Sequence, residues 1–325
     1  MPDQVTTATA PEDTVELPNA DWIRTRYMKN QRDEQLLDVL EEALNFPRDA
    51  NQRATPARFG RHKETRGIIV TAPSGEGKTT LLDRNLAELP GLGFYDGHAG
   101  NVLMVTVNPD ATLKGLAISI LSETGYDVDP TKIQVAPAWE MVSHRMNMLG
   151  TSVLWIDEAH HLLTSGPGRD AATALRRLKS MLQGEHAIVV VLSGISKLAE
   201  LLGRDEETNR RFFKLSLGPV RTTGERAKLE RFIQALIHHS GIEPVDDPQF
   251  SDRLLAASNG SLGNAIDLVA RCISRATDKG DACLELRHFR RAHRLNGWAG
   301  TIGPFDDEPW DALKLVLEEY EGKAA

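Results

Sequence analysis

Cysteine is almost missing from this 325-residue chain: Cys272 and Cys283 are the only two. Two thiols are too few for a zinc cage or a disulfide framework and suit a reducing compartment, so the expected location is the cytoplasm. Long apolar runs are missing too. The stretch AIVVVL at 187–192 falls far short of the roughly 20 residues a bilayer-spanning helix needs, so no membrane partner is expected. The first residues, MPDQVTTATAPEDTVELP, lack the basic end and apolar centre of a secretory signal. Aromatics are sparse at 6%, beside 41% hydrophobic and 26% charged residues. Those fractions describe an ordinary globular chain with enough apolar material for a sizeable core.

Positive charge is in deficit overall, at a net −8, but unevenly. Residues 1–20 carry Asp3, Glu12, Asp13 and Glu16 and no Lys or Arg, while 305–325 hold seven acids against Lys314 and Lys323. The body between them is close to neutral. An acidic average therefore does not exclude a basic surface that meets a polyanion.

Along the chain, 1–20 reads as a disordered acidic N-terminus. A helical pattern follows, DEQLLDVLEEAL, with Leu36, Leu37, Leu40 and Leu44 on one face, and then an Arg-rich loop; together they form a segment over 21–66. From 67 to 220, strand-like runs alternate with helical ones: GIIVTA, a helix from Lys78, NVLMVTV, a helix near 112–124, SVLWID, a helix near 170–182, and AIVVVLSG. That alternation predicts an α/β domain with a parallel sheet covered by helices. The remainder, 221–297, reads as helical. At 298–325 a Gly/Pro linker leads into an acidic tail helix.

The stretch IIVTAPSGEGKTTLLDR, 68–84, carries the first chemistry. APSGEGKT at 72–79 fits the phosphate-loop pattern G-x-x-x-x-G-K-[ST], with Ala72 in place of the first glycine. Backbone N–H groups from Gly75 to Thr79, at a helix start, can cradle phosphate oxygens. Lys78 would meet the β- and γ-phosphates and the Thr79 hydroxyl would bind Mg²⁺. The candidate ATP-binding set is Gly75, Glu76, Gly77, Lys78, Thr79, Thr80 and Asp157. Asp157 ends the apolar run VLWIDEAHHLL, where a strand would deliver it beside the phosphates to share the Mg²⁺ with Thr79. The adjacent Glu158 is placed to polarise an attacking water, which makes hydrolysis an expectation as well as binding.

Weaker signals surround these two. Ser193 ends the strand-like AIVVVLSG, either merely closing it or sensing the γ-phosphate. Arg210 and Arg211 precede another apolar run, either as solvated charges or as a finger reaching a neighbouring subunit's ATP. DEAHH spells the signature of one helicase class, but the chain has little room for two RecA-like domains. His160 and His161 beside two acids invite a metal reading. Neighbouring helical positions diverge by about 100°, so the pair is expected to make poor joint ligands.

Taken in order, the Lys78–Thr79 loop, Asp157–Glu158, Ser193, Arg210–Arg211 and a helical remainder resemble an AAA+ ATPase. More narrowly, the chain is similar to the TniB/TnsC group of transposition regulators, relatives of MuB. The likeness lies in VTAPSGEGKTTLL, VNPDATLKGLAISILSETGY, VLWIDEAHHLL with ALRRLKSML, and VVVLSGISKLAELLGRDEETNRRF, over about 68–213. The resemblance implies a P-loop αβα sandwich with a parallel central sheet followed by a small helical lid. It also implies ATP held between subunits, helical or ring-shaped homo-oligomers on duplex DNA, and recruitment of a transposase and a targeting factor. Hydrolysis would then dismantle the assembly. Carried over by position, Lys78 and Thr79 grip ATP and Mg²⁺, Asp157 orders the metal, Glu158 activates water, Ser193 is sensor 1, and Arg210 or Arg211 is the finger. One departure stands out: SNGSLGNAIDLVARC has Gly263 and Asn264 where many AAA+ lids place a sensor-2 arginine, with Arg271 further along the same helix.

Two basic clusters are candidates for sequence-independent contact with DNA phosphates. One comprises Arg48, Arg53, Arg58, Arg61, Lys63 and Arg66; the other is LRHFRRAHRL at 286–295. Each reads equally as a solvated face or an intersubunit contact. A third candidate, ALRRLKSML at 174–182, would face an oligomer's channel. In the tail, Trp310, Leu313, Leu317 and Tyr320 recur at helical spacing, either docking on their own domain or engaging a partner. The competing functions are a replication-initiator-like or loader-like ATPase, and a secretion or signalling ATPase with a protein partner.

Overall fold

The computed structural model describes residues 23–317, apart from 24, 50, 165–167, 204, 298–299, 301 and 316; side chains are not described at 164–171. The segments 1–20 and Tyr320, read above as disordered and as part of the tail stripe, lie outside the described residues. The chain forms two compact units. A sheet unit takes in Lys29–Arg221 and Ser261–Gly263; a helical unit takes in Met1–Met28, Thr222–Gly260 and Asn264–Ala325.

The sheet unit opens with α1, Gln31–Ala43. Asn30 caps it through a reciprocal box with Asp33, leaving Leu36 and Leu40 fully buried and Leu37 half-buried. A short antiparallel pair, β1 Leu44–Asn45 and β2 Thr55–Pro56, follows. The main sheet consists of β3 Gly67–Thr71, β4 Val102–Thr106, β5 Val153–Asp157, β6 Val189–Gly194 and β7 Phe212–Ser216, in the order β4-β5-β6-β3-β7 and parallel throughout. Central strands β3, β5 and β6 are buried at every position, which is why their sequences are unbroken apolar runs instead of alternating ones. Edge strand β7, FFKLS, buries Phe212 and Leu215 and exposes Lys214 and Ser216.

Helices cover both faces. Ile69, Leu103, Val105, Leu154, Ile156, Val190 and Leu192 share one core with α3 (Leu113–Glu123), α4 (Val135–Leu149), α5 (His160–Thr164), α6 (Gly168–Met181) and α7 (Lys197–Gly203). The intervening positions, Ile68, Val70 and Trp155 among them, project to the opposite face, where α1 and α2 (Lys78–Glu88) pack. A four-residue α8, Glu206–Asn209, leads into β7. Helix α4 is absent from the sequence reading, although Ala138, Trp139, Val142 and Met146 bury one of its faces.

The helical unit holds α9 Thr223–His239, α10 Phe250–Ala257, α11 Leu262–Lys279 from Asn264 onward, and α12 Leu286–Leu295. Its centre is aromatic: Phe250, Phe289 and Phe305 stack with centroid spacings of 4.8 and 5.4 Å. Arg253, only 4% exposed, ties the tail down. It donates to the carbonyls of Pro304, Asp306 and Glu308 and pairs with Asp247. Trp310 lies against the Arg253 guanidinium, and Trp310 and Leu313 are buried. Of the two readings of the tail stripe, these residues follow the one in which it docks on its own unit. No helix among the described residues is long and apolar enough to cross a membrane.

Candidate functional site

The site lies where β3, β5 and β6 end, at the carboxyl edge of the parallel sheet, as ligand sites of such sheets do. The loop from Ala72 to Gly77 joins β3 to α2. Gly75 and Gly77 sit at φ +83° and +81°, a backbone region that side-chain-bearing residues avoid, and no atom lies within 4 Å of a Cβ placed on Gly77. The loop's curve therefore depends on glycine and leaves open space where a ligand would approach. The first turn of α2 leaves its N–H groups without partners inside the helix. Lys78 is buried and its ammonium donates to the carbonyls of Ala72 and Pro73 at 3.3 and 3.2 Å.

Thr79 and Asp157, 78 positions apart in sequence, meet here: the Thr79 hydroxyl donates to Asp157 Oδ2 at 2.9 Å. Asp157 Oδ1 accepts from Ser193 Oγ at 2.5 Å and from the Glu158 N–H at 3.0 Å. Ser193 in turn accepts from the indole of Trp155 at 2.7 Å. Trp155 and Ser193 are fully buried and Asp157 is 5% exposed, so a continuous hydrogen-bonded chain runs from the interior to Thr79. A hydroxyl beside a carboxylate is a hard-oxygen set, and that chemistry fits Mg²⁺. Thr80 is exposed on the first turn of α2.

Glu158 occupies the left-handed region at φ +53°, which displaces its side chain from the line of β5. Its Oε2 lies 3.2 Å from His160 Nδ1, and the rings of His160 and His161 lie 4.0 Å apart. The ligand atoms of Glu158, His160 and His161 fall within 4.8 Å of one another. The expectation that the two histidines diverge is thus corrected, because they open the five-residue α5 with their rings folded together. Burial, helped by His161, pushes His160 below its ordinary value against the pull of Glu158. A neutral His160 makes the contact a close polar approach, not a full ion pair.

The two arginines part company. Arg211 is held in a pair with Glu64 at 3.1 Å and a longer one with Glu207, and its side chain is 18% exposed. Arg210 is 76% exposed with a loose 3.6 Å pair to Glu206, so it is the one with reach. Ser261–Gly263 also belong to the sheet unit: Ser261 donates to the Gly75 carbonyl at 3.4 Å, and a Cβ on Gly263 would come within 1.9 Å of the same oxygen. Any residue larger than glycine is therefore excluded at 263. Arg271 pairs with Asp267 and donates to Asn296.

The basic clusters are partly spent on internal bonds. Arg53, Arg58 and Arg66 donate to the carbonyls of Leu149, Ala187 and Arg210, and Lys63 pairs with Glu185. On α12, Arg290 binds Asp306 and Asp307 and Arg287 binds Glu285, while Arg291 and Arg294 are exposed. Sequence reasoning missed Arg32 and Trp155 as members of the site's surroundings, and it set His160 aside as a ligand. Trp155 carried a signal, since it shares a strand face with Asp157.

Residues 61–202 match the family model described as an AAA domain. Solved structures agree on the architecture. CDC6P from Pyrobaculum aerophilum is 13% identical, with a TM-score of 0.59 over 86% of this chain and 71% of that one. The ORC1 protein of Aeropyrum pernix, solved in complex with DNA, is 17% identical with a TM-score of 0.57 over 85% and 67%. The Aeropyrum pernix ORC2 protein, solved as ADPNP–ADP complexes, is 14% identical with a TM-score of 0.53 over 83% and 67%. The fold is the P-loop AAA+ fold. No curated protein matches the chain. Within the AAA+ fold the Lys78 loop, the end of β5 and the end of β6 are the parts that converge on Asp157.

Proposed function

We propose that the protein is an Mg²⁺-dependent ATPase that assembles with ATP on duplex DNA and regulates target choice in transposition. The observation carrying the nucleotide part is the Thr79–Asp157 contact of 2.9 Å, which brings the phosphate-loop helix and the carboxylate strand to one point. Gly75 to Thr80 hold the phosphates through backbone N–H groups and the Lys78 ammonium, and Thr79 and Asp157 hold the metal. When bound, Mg²⁺ offsets the negative charge of the phosphate oxygens. Glu158 takes the proton of the attacking water, with the His160 ring 3.2 Å from its carboxylate. Ser193 orients Asp157. Arg210, the exposed member of its pair, reaches the ATP of an adjoining copy.

DNA as a partner is supported by the ORC1 neighbour solved with DNA and by the exposed Arg291 and Arg294. Transposition, with a transposase and a targeting factor as protein partners, rests on the sequence resemblance to TniB/TnsC. An initiator-like role is the second reading, favoured by the CDC6P and ORC neighbours. One experiment separates them: co-sedimentation of the chain with random-sequence duplex, with and without ATP. ATP-dependent large complexes are expected, retained in Glu158→Gln and lost in Lys78→Ala. Turnover of Glu158→Gln should fall by about 10²-fold or more. DNA binding indifferent to ATP, or confined to one sequence, refutes the transposition reading.

A further inference from the structure

The phosphate loop contains a paradox of charge. Glu76 sits between its two positive-φ glycines, so an acid lies inside a loop whose task is to hold an anion. The side chain of Glu76 is 3% exposed. Its partner comes from 44 residues upstream. Arg32, on the first turn of α1 and 8% exposed, donates through Nη2 to Glu76 Oε2 at 3.1 Å and through Nη1 to the Glu76 carbonyl at 3.0 Å. Nη2 also donates to the carbonyl of Gly218, just past β7.

The platform behind Arg32 is itself fastened. Asp33 accepts the Asn30 N–H at 2.8 Å and, through its other oxygen, the Asn85 amide at 3.0 Å. Asn85 lies on α2, the helix that the phosphate loop opens, and also donates to the Leu81 carbonyl. The first turn of α1 is thus bonded to both the loop and its helix.

We infer that Arg32 is a positioning residue for the phosphate loop, acting on nucleotide affinity through Glu76. Two physical effects combine. A trans peptide is planar with its C=O and N–H opposed, so a Glu76 carbonyl turned to Arg32 sends the Gly77 N–H away from α1, to the ligand side. The guanidinium also neutralises the Glu76 carboxylate, removing a like charge from the path of the triphosphate. Arginine is needed for the task, because its planar fork serves a carbonyl and a carboxylate together where a lysine ammonium is a single point. The inference rests on the nucleotide reading above.

Removing Arg32 alone strands a buried carboxylate and endangers folding. The decisive comparison is therefore Arg32→Met/Glu76→Gln against Glu76→Gln, in the full chain, with ATP and ADP affinities read by calorimetry and folding by circular dichroism. Loss of the arginine's bond to the Glu76 carbonyl should weaken both nucleotides by about tenfold or more, appearing in KM while kcat at saturating ATP stays within about threefold. Arg32→Lys should fall between. A folded double variant that binds as Glu76→Gln does overturns the inference, as does a fall in kcat with KM unchanged. A wild-type chain with no affinity for ATP overturns the nucleotide reading and this inference with it.

Discussion

Replacing Ser193 by alanine tests the hydrogen-bonded chain that fixes Asp157. The hydroxyl is fully buried, donates to Asp157 Oδ1 at 2.5 Å and accepts from the Trp155 indole at 2.7 Å. Its loss removes a hydrogen bond to a charged group, worth about 1.5–3 kcal/mol, and strands a buried indole N–H at a further cost of about 1–3 kcal/mol. The space left by one oxygen is too small for a water. The Glu158 N–H remains on Oδ1 at 3.0 Å, which moderates the first loss. The expected destabilisation is about 3–4 kcal/mol, measured by urea unfolding with linear extrapolation. Adding Trp155→Phe removes the stranded donor, so the double variant should be more stable than additivity predicts by about 1–2 kcal/mol. A loss below about 1 kcal/mol, or a strictly additive cycle, would show that the chain does not hold Asp157.

Arg210→Ala should leave the stability of the isolated chain within about 0.5 kcal/mol while lowering ATP turnover at concentrations where copies associate. Arg211→Ala, which unmakes the Glu64 pair, should instead lower the melting midpoint; equal effects on turnover and stability would refute the division of roles. Burial is the main cause pushing His293 below its ordinary 6.5, against the Ala257 backbone and Asp306. The folded state thus favours the neutral ring, and the associated stability, full above pH about 6.5, is lost as pH falls through the lowered folded value. His293→Gln should flatten the drop in melting midpoint between pH 7 and 5. Cys272 is pushed up to about 12 by burial and stays a thiol, whereas Cys283 is half-buried. A thiol reagent at pH 8 should label one cysteine in the native chain and two in denaturant; two labelled natively would contradict the burial of Cys272.

What could be read in the sequence followed contiguity. GIIVT, VLWID and VVVLSG are largely apolar runs because their strands are covered on both faces; VLWID ends in Asp157, VVVLSG carries Ser193 one residue before its end, and GIIVT leads into the phosphate loop. Lys78, Thr79, Asp157 and Ser193 were legible for that reason. Arg32 was not, since nothing in QRDEQLL marks a side chain that folds onto a loop 44 residues away. Nor does a string of arginines tell which are engaged: Arg290 and Arg211 are bound to carboxylates that only the fold brings near. His160 and His161 misled because an argument from helix interiors was applied to the first two residues of a one-turn helix.

The backbone of Glu158 has a consequence for how the site can change. At φ +53° a glutamate carries about 1 kcal/mol of conformational strain that a glycine would not. Glycine at 158 would therefore relax the turn and lose the carboxylate in one step, its greater freedom in the unfolded chain offsetting much of the gain. Glutamine shares the strain and isolates the acid. The carboxylate at 158 thus sits on a backbone that runs against the ordinary preference of a side-chain-bearing residue.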